Sequence, residues 1–292
     1  MIERKLDSII ARFFSESSVR SIIKNRHSSN SLIREFQNLM VKSGLHFEGE
    51  TFQDLFEFSY KYLLQNYRNE YIYKNAIANR ILLGIHSLNT SFMLQEFRVG
   101  SCKVDTVVLN GTSNAYEIKT ELDSLERLSK QVETYLKVFD MVHVITYPGH
   151  TEKVRKAVPE CVGLMELVKG EHIKTLRKAI SGKNTISTDV LFDSLRKSEY
   201  QAIVREYYGS APIVPNTQAY SVYKELFTKI EPAVAHDLAV TQLKKRGNSL
   251  LLKDFIGSVP EYFKSLSVSG RFSNKDMVEV QAMLQSKLNF AL

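Results

Sequence analysis

Residues 103–119 read KVDTVVLNGTSNAYEIK, and their pattern decides the fold. The run 103–109 is β-rich and apolar apart from one acid, Asp105. The run 114–119, NAYEIK, reads as a second strand, and Asn110-Gly111-Thr112-Ser113 between them is a turn cluster. Two strands around an Asn-Gly turn predict a hairpin. Just upstream, FMLQEFRV at 92–99 is a third strand. Downstream, a helix is expected over about 123–139, with Asp123 and Glu126 in capping-box spacing. MVHVITY at 141–147 then reads as a short buried strand, whose His143 is a core residue rather than a ligand. A helix follows near 150–157, before Pro159, and VGLMELV at 162–168 is a further strand. The order helix, β, β, β, α, β, α, β predicts an α/β domain.

Helical patterns flank this core. SLIREFQNLMVKSG has apolar residues at helical spacing and Gly44 as a stop, and TFQDLFEFSYKYLLQNY continues with Thr51 as N-cap. A third helix is expected over about 70–83, opening at Asn69 and closing at Gly84. Residues 170–187 are polar and read as a linker. From Asp189 three short helices follow, with Ser198 and Asn216 as caps and Gly209 as a stop, then helices near 234–246 and 274–289. This organisation divides the chain into a helical N-terminal region (1–84), an α/β core (85–180) and a helical C-terminal module (185–292).

An apolar content of 43% and a charged content of 24% over 292 residues exclude a disordered or fibrous chain. No apolar run approaches the ~18 residues of a membrane span. The N-terminus, MIERKLDSIIARFF, lacks the continuous apolar stretch of a signal peptide, which points to the cytoplasm. Cys102 and Cys161 form no CxxC pair, so a disulfide framework or zinc knuckle is not expected. The net charge of +7 permits a polyanionic partner, but the excess is spread along the chain and forms no basic arm. There is no HExxH, GxSxG or GxxxxGK[ST], which removes zinc hydrolase, serine hydrolase and P-loop readings.

The hairpin carries the chemistry. Asp105 sits mid-strand, where aspartate is disfavoured. Strand side chains alternate, so Glu117 and Lys119 share one face and Ile118 takes the other. Hairpin pairing brings Asp105 alongside Glu117. Two carboxylates and an ammonium on one face are costly to bury alone, and a hard divalent cation with oxygen ligands resolves that cost. Lys119 is then placed to orient or deprotonate a water, or to offset charge on a phosphate.

Asp105 followed by Glu117-Ile118-Lys119 resembles the PD-(D/E)xK, restriction-endonuclease-like nuclease superfamily. Gln131 and Tyr135, spaced QxxxY on the next helix, are similar to the exonuclease and RecB-like branches. The resemblance spans roughly 70–168, with Val104 standing where the proline of the motif would precede Asp105. It implies a restriction-endonuclease-like core, a mixed sheet flanked by helices. It also implies a Mg²⁺-dependent phosphodiesterase, with Mn²⁺ as substitute, acting on DNA. Asp105 and Glu117 would be ligands and Lys119 the catalytic lysine. Gln131 would hold Lys119 or a water, and Tyr135 would touch a phosphate. Members often add an acid from a preceding helix; Glu70 is the candidate and Glu96 the runner-up. Bacterial or phage origin and a role in restriction, repair or defence against mobile DNA are implied with it.

Lys244, Lys245 and Arg246 are candidate phosphate contacts near the C-terminal helices, whose spacing loosely suggests a helix-turn-helix or winged-helix module. The competing class is a protein of the same fold that binds nucleic acid or a protein partner without cutting. Endo- or exonuclease action, DNA or RNA, and monomer or homodimer stay open.

Overall fold

The computed structural model describes residues 2–25, 31–247, 250–268 and 272–288. Five helices open the chain: α1 (Ile2–Phe13), α2 (Glu16–Lys24), α3 (Ser31–Ser43), α4 (Phe52–Asn66) and α5 (Glu70–Ala76). A π-helical stretch, Ile77–Leu83, follows. Next come β1 (Phe92–Val99), β2 (Cys102–Leu109), β3 (Ser113–Lys119), α6 (Leu128–Tyr135), β4 (Met141–Thr146), α7 (Thr151–Ala157), β5 (Gly163–Leu167) and β6 (Ile173–Arg177). Four helices, α8 (Thr188–Asp193), α9 (Lys197–Tyr208), α10 (Asn216–Thr228) and α11 (Pro232–Lys244), precede α12 (Leu250–Ser258), α13 (Lys264–Val268) and α14 (Asn274–Gln285). No described helix is long and apolar enough to cross a membrane.

The chain forms two compact units, Met1–Asn79 with Ser249–Leu292, and Arg80–Asn248. These cut the chain differently from the three expected regions. In the first unit an aromatic core of Phe13, Phe36, Phe56 and Phe263 is fully buried. Thr51 starts α4 through a reciprocal cap: its hydroxyl accepts from the Asp54 N–H, and Asp54 accepts from the Thr51 N–H. Polar ties draw the last helices onto the first ones. Arg20 pairs with Asp276 at 2.7 Å. Buried Asn75 donates to the Tyr60 hydroxyl and the Glu261 carbonyl, and accepts from the Ser265 N–H. These long-range partners explain why residues beyond 249 leave the expected C-terminal module. The last helix ends at Gln285, capped at Ser286, short of the predicted 289, which itself lies outside the described residues.

The second unit is built on a six-stranded mixed sheet in the order β1-β2-β3-β4-β5-β6. β1–β2, β2–β3 and β5–β6 are antiparallel; β3–β4 and β4–β5 are parallel. Parallel neighbours need crossovers, which α6 and α7 supply. Two expectations change here. Residues 173–177 form β6 rather than part of a linker, and the charged composition of HIKTLR suits a strand at a sheet edge. The helix expected from 123 begins at Leu128, because Asp123 turns back: its carboxylate accepts from the Thr120 N–H and hydroxyl at 2.8 and 2.7 Å. Caps move as well. Ser187 caps α8, while Ser198 lies inside α9 and Asn216 is the first residue of α10; Gly209, at φ 75°, ends α9 as expected.

The Ser113 hydroxyl lies 2.7 Å from His236 Nε2 and accepts from the Asp140 N–H at 3.0 Å, fastening α11 to the sheet. On β4, His143 is buried and stacks on Tyr116 with centroids 4.8 Å apart. Burial pushes its imidazole down to about 4. The folded state therefore holds this proton less tightly than the unfolded chain does. The associated stability is complete above the unfolded value near 6.5 and drains as pH falls toward 4, by about 3 kcal/mol in all. His143→Phe keeps the stack and removes the proton site. The difference between wild-type and variant unfolding free energies, measured in urea across that window, is expected to shrink by that amount toward acid. A constant difference would refute the buried neutral imidazole.

Candidate functional site

Gly111, at φ 97°, makes the tight hairpin turn accessible. From it the β2–β3 ladder runs Leu109↔Ser113 to Thr106↔Tyr116 and stops. Asp105 comes next in register, opposite Glu117. Instead of backbone pairing, Asp105 Oδ2 accepts from the Ile118 N–H at 2.7 Å. The strands thus separate at a carboxylate, and β3 continues by pairing with β4 as far as Lys119↔Thr146. The β1–β2 ladder also breaks beside Asp105. Gln95↔Thr106 and Phe97↔Val104 pair, whereas Glu96 between them takes φ 55°, a left-handed conformation rare outside glycine. The Glu96 and Asp105 carboxylates offer oxygens within 4.8 Å of each other. Glu96 is also paired with Lys103.

Glu117 and Lys119 project from the same face of β3 and are 1% and 8% exposed. Lys119 Nζ donates to Glu117 Oε1 at 2.7 Å and to Gln131 Oε1 at 3.1 Å. Four residues on from Gln131 along α6, Tyr135 is fully buried; its hydroxyl lies 2.9 Å from Glu117 Oε2 and 2.7 Å from the Lys103 carbonyl. The i, i+4 spacing puts both side chains on one stripe of the helix, laid over β3. Burial raises the Glu117 carboxyl, against the opposing pull of Lys119, Tyr135 and Gln131. The Tyr135 hydroxyl is raised strongly, first by burial and then by the Glu117 charge. The structure therefore joins Glu117, Lys119 and Gln131 in one hydrogen-bonded set, with Asp105 beside them on the neighbouring strand. Tyr135 joins them in a different role from the one expected: with no exposed surface it is not a nucleic-acid contact, and it holds the carboxylate of Glu117.

Glu70 belongs to the other unit, where it opens α5 and pairs with Lys74 at 2.6 Å. Within the second unit the further acid beside Asp105 is Glu96 of β1, which the sequence ranks only second. Its signal is positional, three residues before the end of the strand that precedes Asp105.

Lys244, Lys245 and Arg246 do not act as one basic face. Lys244 is half-buried; Lys245 is exposed and donates to Gln242, one turn back along the chain, at 2.9 Å. Arg246 makes a two-pronged ion pair with Glu199, at 2.6 and 2.7 Å, and lies 5.6 Å from the Phe97 ring centroid. Its guanidinium is committed to packing, which corrects its expected role as a phosphate contact. Arg246→Ala would leave Glu199, 8% exposed, without its counter-charge. Loss of about 3 kcal/mol of stability is expected in urea unfolding, against about 0.5 kcal/mol or less for Lys245→Ala. Equal stability of the two variants would return Arg246 to the surface role.

The segment holding this site is also the part of the chain that matches known proteins. Residues 64–266 match the family model described as Bacteriophage P4 protein cII. Protein cII of Enterobacteria phage P4 is 28% identical over 109 residues, 37% of this chain and 41% of that protein. The chain thus spans about two fifths of the length of the curated relative it matches. No solved structure matches. The match supports a phage origin, and since it covers well over half of the chain, the protein belongs to the bacteriophage P4 protein cII family.

Proposed function

We propose that the protein is a metal-dependent nuclease hydrolysing DNA phosphodiester bonds, on a core similar to that of PD-(D/E)xK nucleases, in restriction, repair or defence against mobile DNA. One observation carries this reading: Glu117, Lys119, Gln131 and Tyr135, from β3 and α6, form one hydrogen-bonded set in which Glu117, Lys119 and Tyr135 are buried, and Asp105 of β2 accepts from the Ile118 N–H between Glu117 and Lys119. Charged sets of this kind are costly to bury, and pKa-perturbed groups cluster where chemistry is done.

The donor set fits a hard cation. Asp105 and Glu96 offer carboxylate oxygens within 4.8 Å of each other, Glu117 is the further acid across the hairpin, and oxygen donors of this kind suit Mg²⁺ or Mn²⁺ rather than Zn²⁺. Asp105 and Glu117 would hold the ion, which supplies Lewis-acid activation of a phosphoryl oxygen and of water. The chain's own groups do the rest. Gln131 fixes the Lys119 ammonium, Tyr135 fixes the second oxygen of Glu117, and the ammonium stands ready to orient a water or offset phosphate charge.

The closed Glu117–Lys119 pair is the observation that favours a second reading, a protein that binds nucleic acid without cutting. Supercoiled and linear DNA incubated with Mg²⁺, Mn²⁺ or EDTA separate the two. Metal-dependent cutting by the wild type, lost in Lys119→Ala, supports the nuclease; binding without cutting in both selects the binder.

A further inference from the structure

We propose that a basic groove between α1 and α3, in the first unit, holds the phosphate backbone of a nucleic acid. Arg4, Lys5, Ser8, Ile9, Arg12 and Glu35 line a groove of about 610 Å³. Arg4, Ser8 and Arg12 recur every four residues, so they stand along one flank of α1 at intervals of about 6 Å. The acids of the helix, Glu3 and Asp7, line a different hollow on its other flank. Leu6, Ile9, Ile10 and Phe13 are buried in the core. Helix α1 thus sorts its charges, basic on one side of its buried stripe and acidic on the other.

The folded state alone does not account for these cations. Arg4 and Lys5 occupy the first turns of α1, where the helix dipole disfavours positive charge. Both are exposed, and neither forms an ion pair among the described residues. Glu35 reaches Arg12 only at 3.5 Å, with both side chains more than half exposed. A polyanion complements such a flank, and guanidinium forks match phosphate oxygens. The apolar stripe of α1 is spent in the core, so the helix has none left to enter a lipid surface. That favours nucleic acid over an anionic membrane. The proposal rests on the reading of this protein as acting on nucleic acid, and it places affinity on α1 rather than on Arg246.

The test uses the full chain, a labelled DNA duplex and EDTA, with polarisation titrations at several salt concentrations. The triple variant Arg4→Gln, Lys5→Gln, Arg12→Gln is expected to weaken binding about 10-fold or more and to flatten the slope of log K against log salt by about 0.9 for each phosphate no longer neutralised. Glu35→Gln, which removes the carboxylate of the groove, is expected to tighten binding, and it carries the test should the triple variant misfold. Unchanged affinity and slope in the triple variant, or no gain from Glu35→Gln, overturns the proposal. So does loss of binding to phosphatidylserine vesicles with DNA affinity intact. Metal-dependent cutting is read separately on the wild-type protein with Mg²⁺, so failure of the groove and failure of the nuclease reading give different results.

Discussion

Lys119→Arg is expected to lower metal-dependent DNA cleavage by about 10²–10⁴-fold, nearly as far as Lys119→Ala. The ammonium sits 8% exposed between Glu117 Oε1 and Gln131 Oε1, at 2.7 and 3.1 Å. Arginine keeps the charge, but its planar fork is larger and does not give up a proton. The two variants are expected to part in stability. Lys119→Ala leaves Glu117, 1% exposed, as a buried carboxylate without its counter-ion, which costs about 3–5 kcal/mol unless the carboxyl takes up a proton. Burial already raises that carboxyl, so the loss is expected to be smaller at acid pH than at neutral pH. Adding Glu117→Gln to Lys119→Ala removes the orphaned charge and is expected to recover most of the stability without recovering cleavage. Urea unfolding and plasmid nicking on the same preparations read both effects. Wild-type cutting by Lys119→Arg would reduce the lysine to an electrostatic bystander.

The parts of this site that were legible in the sequence are those governed by local rules. The Asn-Gly turn and the alternation of KVDTVVL and NAYEIK set the hairpin and its register, which puts Asp105 opposite Glu117. The spacing of Gln131 and Tyr135 places both on one stripe of α6, whatever the helix packs against. What escaped the sequence depends on partners distant along the chain. Arg246 finds Glu199 and Phe97, residues that spacing does not connect to it. The last helices find Arg20 and Asn75 in the first unit. Local competition explains two further differences. Asp123 has the spacing of a helix cap, yet its carboxylate closes the turn after β3 instead. Glu96 lies in an apparently regular strand, and only the backbone shows its left-handed conformation beside Asp105.

Asp105→Asn separates what this residue does for the fold from what it does for a metal. Its Oδ2 accepts from the Ile118 N–H at 2.7 Å where the β2–β3 ladder stops. Asparagine keeps a carbonyl oxygen of the same reach, so the divergence of the two strands is expected to survive. The substitution also removes one of two carboxylates, Asp105 and Glu96, whose oxygens lie within 4.8 Å. Relief of that repulsion is expected to leave the metal-free protein as stable as wild type, or more stable by about 1 kcal/mol. Asp105→Ala lacks the acceptor and is expected to lose about 1–3 kcal/mol, because the Ile118 N–H is left without it. Cleavage is expected to vanish in both. Binding of Mn²⁺, read as a rise in melting temperature with metal concentration, is expected in wild type and absent from Asp105→Asn, since a ligand stabilises only the state that binds it. Equal metal-dependent stabilisation of wild type and Asp105→Asn would remove Asp105 from the ligand set, and undiminished cleavage by Asp105→Asn would place the chemistry elsewhere on the molecule.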